Sequence, residues 1–256
     1  MKTLIFDCDG VLADTERDGH LPAFNQMFAE FDLPVRWSAA EYGERLKIGG
    51  GKERMASLLT DEFIEKANLP KDKDSQLAEI ARWHKRKSEI YKEMVAAGRL
   101  SARPGIFRII DEALKNNWRL AVASTSAQSS VEAVLNHVAG AENFAKFALI
   151  LAGDVVPKKK PAPDIYLAAI EKLGANPNET LVVEDSRNGL LAAHGANLKC
   201  LITVNGYTEK EDFTEAALVV SSLGDPDGER TRVIKNRSAA QPKDFVTLED
   251  LENCLR

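Results

Sequence analysis

The chain has 256 residues, of which 44% are hydrophobic and 29% charged, and its formal net charge is −5. This length allows one large domain or two smaller ones with a buried core. The negative charge argues against nucleic acid or an anionic membrane as a partner, and no apolar run approaches the roughly 18 residues of a membrane span. Three widely spaced cysteines fit neither a zinc site nor a disulfide framework. We expect a soluble monomer in the cytoplasm, or in the plastid stroma if a transit peptide has been removed.

Six short apolar runs are predicted to be β-strands. They lie at residues 3–6, 120–123, 148–152, 180–183, 200–204 and 218–220. Because they are nearly all apolar rather than alternating, they indicate parallel strands covered by helices on both faces. Helical periodicity separates the runs from about residue 102 onward, which predicts an α/β, doubly wound parallel sheet.

Residues 15–99 interrupt this alternation with helical periodicity and hardly any β-branched runs. One apolar stripe runs through Leu21, Phe24, Met27, Phe28 and Phe31, and another through Leu77, Ile80, Ala81, His84, Tyr91 and Met94. We therefore predict an all-helical cap domain at 15–99, inserted into a core domain of residues 1–14 and 100–256. The polar stretch at 225–241 is expected to be a surface excursion, and 248–255 a closing helix.

Two carboxylates, Asp7 and Asp9, follow the first predicted strand. Burial of like charges is costly, and a hard divalent cation with oxygen ligands can offset that cost. An acidic strand-to-loop turn is a common alternative for this pattern alone. However, the strand at 180–183 also ends in acids, Glu184 and Asp185, and the carboxyl ends of parallel strands open on one crevice. We expect Asp7 and Asp185 to share one Mg²⁺ ion.

Hydroxyl and lysine side chains follow two further strands. Ser124, Thr125 and Ser126 come directly after one, where hydroxyl and backbone N–H groups can bind phosphate oxygens. Lys160 follows another and precedes a stiff Pro-x-Pro turn that would hold its charge in place. A helix N-cap and a solvated lysine run are the alternatives for each element alone, but their order and positions reinforce one another.

These four elements resemble, in type, order and position, the four motifs of the haloacid dehalogenase (HAD) superfamily of phosphotransferases. The resemblance spans nearly the whole chain and implies a HAD-like Rossmannoid fold. It implies Asp7 as the nucleophile that forms an aspartyl-phosphate, and Asp9 as general acid and then general base. It implies Ser124 and Lys160 as phosphate ligands. The implied magnesium ligands are Asp7, the Asp9 backbone carbonyl and Asp185, with Glu184 in support.

The insert is similar to the helical cap of β-phosphoglucomutase and related sugar phosphatases. Glu16 and His20 are four residues apart, so one helical turn would carry both toward the crevice. A lone histidine would be an ordinary helix-surface residue, but near Asp9 we expect His20 to bind substrate. Lys87 lies on an otherwise apolar stripe and is expected to reach an anion, with snorkelling to water as the alternative.

The run Gly49-Gly50-Gly51-Lys52-Glu53-Arg54 precedes a predicted helix. It is not a Walker loop, because Glu53 stands where serine or threonine would be required. The glycines, with Gly51 nearest the helix, let backbone N–H groups approach an anion, and Lys52 or Arg54 could hold a second phosphate. A flexible connector is the alternative.

Together with residues 152–161, the cap residues are most similar to CbbY-like proteins, xylulose-1,5-bisphosphate phosphatases that clear a misfire product inhibiting Rubisco. This resemblance implies a sugar bisphosphate, with one phosphate at Asp7 and the other at Lys52, Arg54 or Lys87. Departures at 194–196 and 60–73 leave the substrate open. The alternatives are a β-phosphoglucomutase-like mutase, whose cap keeps water from the aspartyl-phosphate, and a non-catalytic sugar-phosphate-binding protein. Dehalogenase chemistry is disfavoured because it requires neither the acid Asp9 nor magnesium.

Overall fold

The chain divides into two compact units in the computed structural model, which describes residues 1–48 and 50–256. The core unit comprises Met1–Asp14 and Ser101–Arg256, and the helical unit comprises Thr15–Leu100. Gly49, the first glycine of the predicted anion-binding run, lies outside the described residues. In the part of the chain that is described, no helix is both long and apolar enough to cross a membrane.

The core unit is built on one sheet. Its strands, among the described residues, are β1 Thr3–Phe6, β2 Arg119–Ser124, β3 Leu149–Ala152, β4 Thr180–Glu184, β5 Lys199–Thr203, β6 Leu218–Val220 and β7 Val233–Asn236. The strand order is β3-β2-β1-β4-β5-β6-β7. Strands β1 to β6 pair in parallel and β7 pairs antiparallel with β6. The predicted doubly wound parallel sheet is therefore confirmed.

Strand β7 corrects the expectation of a surface excursion at residues 225–241. It pairs with β6 at the edge of the sheet, where Lys235 lies opposite Val219. All four residues of β7 are exposed, so the strand has no buried face. Because its sequence needs no apolar alternation, periodicity gave no signal for it.

Strand β1 lies in the interior of the sheet. Leu4, Ile5 and Phe6 are fully buried, with β2 on one side and β4 on the other. Burial of each such side chain contributes about 1.5–3 kcal/mol relative to exposure. The residues that follow β1 therefore leave a rigid platform at the carboxyl edge of the sheet, at the point where the strand order reverses.

The helices of both units follow the apolar periodicity. In the helical unit they are a π-helical turn at Glu16–His20, α1 Leu21–Glu30, α2 Ala39–Leu46, α3 Gly51–Ala56, α4 Asp61–Lys66 and α5 Lys73–Ala96. In the core unit they are α6 Ile106–Lys115, α7 Gln128–Phe144, α8 Asp164–Leu173, α9 Arg187–Gly195 and α10 Leu248–Cys254, with a 3₁₀ turn at Pro177–Glu179. Helix α10 is the predicted closing helix.

Helix α5 buries Ile80, Tyr91 and Met94 of the predicted stripe together with residues outside it. Leu77 is 55% exposed and Ala81 is also exposed, whereas Trp83 is fully buried and Lys87 is 8% exposed. The buried positions follow the 3- and 4-residue steps of an α-helix. Those steps run through Ile80, Trp83, Lys87, Ile90, Tyr91, Met94 and Val95. The helix therefore directs a lysine toward the interior of the helical unit.

Candidate active site

The acidic side chains follow two neighbouring strands at the carboxyl edge of the sheet. Phe6 of β1 pairs with Val183 of β4, and the Asp7 N–H donates to the Val183 carbonyl at 2.9 Å. Because the two parallel strands end in register, Asp7 comes beside Glu184 and Asp185. One carboxylate oxygen from each of these three residues lies within 4.8 Å of the others, and all three residues are buried.

This acid cluster suits a divalent cation. Three buried carboxylates without a counter-charge would repel one another, and carboxylate oxygens are the ligands that Mg²⁺ and Ca²⁺ prefer. Gly10 allows the backbone to pass close to the cluster, with a φ of +75°. A Cβ atom on Gly10 would lie 2.1 Å from Asp185 Oδ2. No other residue type fits that position without displacing the carboxylate.

Lys160 is the cation that the chain itself supplies to the cluster. Its Nζ donates to Asp7 Oδ1 and Glu184 Oε1, each at 2.6 Å, and to the Ala123 carbonyl at 2.9 Å. The Tyr166 ring lies beneath it, 4.9 Å from Nζ to the centroid, and the Tyr166 hydroxyl donates to Glu184 Oε1 at 2.7 Å. Lys160 is therefore held at fixed distances from the predicted nucleophile.

Burial and mutual repulsion shift the acids of this cluster toward their protonated forms. Burial raises the pKa of Asp7 to about 7; Lys160 opposes the rise, and Glu184 and Asp9 add to it. Burial, followed by the charges of Glu184 and Asp7, also raises the pKa of Asp185 well above its usual value. Burial alone would lower the pKa of Lys160, but Asp7 and Glu184 outweigh it and the pKa is raised. The lysine stays charged, and a bound divalent cation would favour the ionised acids.

Asp9 is held by a serine from the bend that follows β2. The Ser126 hydroxyl donates to Asp9 Oδ2, and the Ser126 N–H donates to Ser124 Oγ at 3.2 Å. Ser124 is the buried last residue of β2, and Thr125 is half-buried between the two serines. The sequence placed Ser126 among the substrate ligands, whereas here its hydroxyl contacts the predicted general acid. The four sequence motifs thus meet at one edge of the sheet.

The helical unit brings Glu16, Tyr42 and Arg54 together. Glu16 accepts a hydrogen bond from the Tyr42 hydroxyl and lies 3.7 Å from Arg54 Nη1. Arg54 also donates to the Tyr42 hydroxyl at 3.0 Å and to the Ile48 carbonyl at 3.0 Å. Tyr42 is fully buried and was not predicted to belong to a site. Arg54 is thus oriented by three groups of the same unit.

His20 and Lys87 form a second group in the helical unit. Lys87 Nζ lies 2.8 Å from His20 Nδ1, and 4.7 and 5.3 Å from the ring centroids of Phe24 and Tyr91. The His20 ring lies 4.1 Å from the Tyr91 ring. Lys87 is 8% exposed, so the alternative that it snorkels to water is wrong.

The helical turn that carries Glu16 and His20 is a π-helical turn. A Cβ atom on Gly19 would lie only 2.7 Å from Tyr91 Cε2. The wider turn and the missing side chain therefore let Tyr91 approach the backbone closely.

Gly51 and Lys52, two residues of the predicted anion-binding run, lie in different surroundings. A Cβ atom on Gly51 would lie 3.2 Å from His84 Cδ2 and 3.8 Å from Phe24 Cζ, so this glycine faces the aromatic interior. Lys52, in contrast, is exposed in the first turn of α3. Burial, with the charges of Lys87 and Lys52, lowers the pKa of His84. The structure thus brings Gly51 close to the group around Lys87 and leaves Lys52 at the surface.

Three contacts of the core site were missed by sequence reasoning. Tyr166 contacts Glu184, Asn205 Nδ2 donates to Asp185 Oδ2 at 2.7 Å, and Arg103 donates to the Gly10 carbonyl. Asn205 carried a usable signal, because it lies two residues beyond β5 at the same edge as the acids. Arg103 and Tyr166 act from a loop and a helix whose approach only the tertiary structure reveals.

Comparison with known proteins agrees with this geometry. Residues 1–197 match the family model of the haloacid dehalogenase-like hydrolases. A CBBY-like protein of Arabidopsis thaliana is 48% identical over 230 residues, which cover 90% of this chain and 71% of the relative. The plasmid-encoded CbbY protein of Cupriavidus necator is 42% identical, with 88% and 87% covered.

A solved structure is also similar. It is a mutant of CbbY from Rhodobacter sphaeroides in complex with xylulose-(1,5)-bisphosphate. It has a TM-score of 0.74 and 37% sequence identity, and the match covers 87% of this chain and 94% of that one. The chain therefore belongs to the haloacid dehalogenase-like hydrolases, as a phosphatase similar to the CbbY proteins.

Proposed function

We propose that this phosphatase is magnesium-dependent and hydrolyses one phosphate monoester of a sugar bisphosphate, xylulose 1,5-bisphosphate, to xylulose 5-phosphate. The observation that carries the chemistry is the buried cluster of Asp7, Glu184 and Asp185 with Lys160 against it. The observation that carries the substrate is the similarity to a CbbY structure that binds xylulose-(1,5)-bisphosphate. In this role the enzyme would remove a misfire product that inhibits Rubisco.

The first half-reaction forms a bond between an Asp7 oxygen and phosphorus and breaks the bond between phosphorus and the sugar oxygen. Asp9, held by Ser126, donates a proton to that leaving oxygen. Lys160 and Ser124 bind phosphoryl oxygens and stabilise their charge in the transition state. Asp7, Asp185 and the Asp9 carbonyl would hold Mg²⁺, with Glu184 in support, and the ion supplies positive charge that lowers repulsion between the carboxylate and the phosphate.

The second half-reaction regenerates the enzyme. Asp9 is now a carboxylate and removes a proton from water, whose oxygen attacks phosphorus. The bond between phosphorus and Asp7 breaks, inorganic phosphate leaves, and both aspartates return to their initial states. One residue thus serves as acid and then as base, which requires that its side chain stay in place between the two steps. The hydrogen bond from Ser126 supports such a position.

Substrate selection is proposed to come from the helical unit. Arg54 and Lys87 are held by neighbouring side chains and would bind the phosphate that does not react, together with Gly51 and Lys52. In the core unit, Thr125 and Ser126 would bind oxygens of the phosphate that reacts. Glu16 and His20 would bind sugar hydroxyl groups. Buried cations bind anions more strongly than exposed ones because water screens them less. A cytoplasmic or plastid-stromal location and a monomeric state stay predictions from the sequence.

Phosphate release from a panel of sugar mono- and bisphosphates with Mg²⁺ tests the proposal. We expect release from xylulose 1,5-bisphosphate and none after Asp7→Asn. Isomerisation of a sugar phosphate without release of phosphate would instead identify a mutase. Binding without turnover, unchanged by Asp7→Asn, would identify a non-catalytic binding protein.

The assignment of Lys87 is tested with a matched pair of variants on α5. Lys87→Met should raise KM for the bisphosphate by about tenfold or more, the cost of a lost charged contact, with little change for a monophosphate. Lys85→Met removes an exposed lysine from the same helix and should leave both KM values unchanged. Equal KM values for wild type and Lys87→Met would contradict the assignment.

A further inference from the structure

Asn205 reaches Asp185 from the loop that follows β5. Its Nδ2 donates to Asp185 Oδ2 at 2.7 Å. Asn205 is half-buried, and Asp185 is buried among other acids. A hydrogen bond to a charged group in such surroundings contributes about 1.5–3 kcal/mol. The amide therefore uses one lone pair of Asp185 Oδ2 and competes with a cation for that oxygen.

The orientation of the Asn205 amide is fixed by its own loop. Its Oδ1 accepts from the Tyr207 N–H at 2.9 Å, so the amide nitrogen is the atom directed at Asp185. Its backbone N–H donates to Thr208 Oγ1 at 3.1 Å, and its carbonyl accepts from the Thr208 N–H at 3.1 Å. This Asx-turn holds the side chain in place before any ligand binds.

The contact is also packed tightly. A Cβ atom on Gly10 would lie 2.1 Å from Asp185 Oδ2 and 2.8 Å from Asn205 Nδ2. Arg103 donates to the carbonyls of Gly10 and Val204, which joins the loop after β1 to the segment before Asn205. Rotation of the Asp185 carboxylate would therefore displace the amide or the Gly10 backbone.

We propose that Asn205 disfavours binding of one cation by both oxygens of Asp185 and thereby contributes a preference of the site for Mg²⁺ over Ca²⁺. This inference rests on the proposed magnesium site. Ca²⁺ takes six to eight oxygen ligands in flexible geometry and often binds both oxygens of one carboxylate, whereas Mg²⁺ demands a near-octahedral set and binds few carboxylates. Approach of one cation to both Asp185 oxygens would compete with the Asn205 amide for Oδ2.

Calorimetric titration of the purified full chain with MgCl₂ and with CaCl₂ tests this role without relying on activity. The variants are Asn205→Ser, Asn205→Ala and Thr208→Val. Serine can still accept from the Tyr207 N–H in an ST-turn but is too short to donate to Asp185. Thr208→Val removes the other side-chain acceptor of the turn and leaves the contact with Asp185 intact.

We expect both Asn205 variants to bind Mg²⁺ about 10- to 100-fold more weakly, as removal of a group that orients a metal ligand does. Their affinity for Ca²⁺ should fall less or rise, so the ratio of the two affinities shifts toward Ca²⁺, and Thr208→Val should keep the wild-type ratio. An unchanged ratio in Asn205→Ser, or an equal shift in Thr208→Val, would overturn the inference. Wild-type protein that binds neither ion, or binds them unchanged after Asp185→Asn, would instead overturn the proposed metal site.

Discussion

Replacement of Arg103 by leucine should destabilise the core unit while leaving its apolar volume nearly filled. Arg103 is 8% exposed and donates to four backbone carbonyls, those of Gly10, Thr203, Val204 and Ser221. It also lies 3.4 Å from Asp14. One guanidinium group thus joins the loop after β1 to the ends of β5 and β6, a set of contacts that leucine cannot make.

The size of the effect follows from the groups left without a donor. A buried acceptor without a hydrogen bond costs about 1–3 kcal/mol, but four carbonyls on one residue will relax or bind water together. Removal of one partner from a buried charged pair costs about 3–5 kcal/mol, and we expect the free energy of unfolding to fall by that amount. Because domains are stable by only about 5–15 kcal/mol, this loss is large.

Urea unfolding followed by circular dichroism measures the free energy of unfolding, and hydrogen exchange assigns the loss to β5 and β6. Arg230→Leu is the matched control, because Arg230 is 70% exposed and pairs with the exposed Asp244 at 2.8 Å. Such surface pairs contribute about 0–1 kcal/mol. A loss of unfolding free energy in Arg103→Leu no larger than in Arg230→Leu would show that the contacts of Arg103 do not stabilise the core unit.

Two further predictions concern the acid cluster. The pKa of Asp7 is raised from 3.8 to about 7, so the folded state favours the protonated acid. The associated stability is complete below the unfolded pKa and is lost as the pH rises through about 7. Urea titrations in EDTA should show unfolding free energy falling by up to about 3 kcal/mol between about pH 5 and about pH 8, less so in Asp7→Asn; equal slopes would contradict this. Lys160→Met should lower kcat at least about 100-fold, because the variant lacks the positive charge that stabilises the phosphoryl oxygens in the transition state. A smaller loss of kcat in stopped-flow assays would show that Lys160 does not have this role.

The sheet and its acidic edge could be predicted because both depend on local sequence. An apolar run such as residues 180–183 marks a strand covered on both faces, and the acids after it must lie at the carboxyl edge. Strand β7 could not be found in this way. Its residues are all exposed, and only pairing with β6 defines it.

Side-chain partners were less predictable than strand positions. The sequence placed Lys87 on an apolar stripe but left two directions open, and contacts with His20, Phe24 and Tyr91 decide between them. The π-helical turn depends on close approach of a ring from a distant part of the helical unit. Such contacts join residues far apart in the chain, so spacing and periodicity carry no signal for them.

In the proposed reaction, Asp7 accepts the phosphoryl group at the acidic edge of the sheet. The most direct test of this step is a rapid acid quench of the enzyme during turnover of radiolabelled bisphosphate, followed by borohydride reduction and peptide mass spectrometry. We expect a protein-bound radiolabel that forms and decays within turnover, and homoserine at position 7 after reduction, both absent in Asp7→Asn. Phosphate release at the wild-type rate by Asp7→Asn, or a label on another residue, would contradict this role of Asp7.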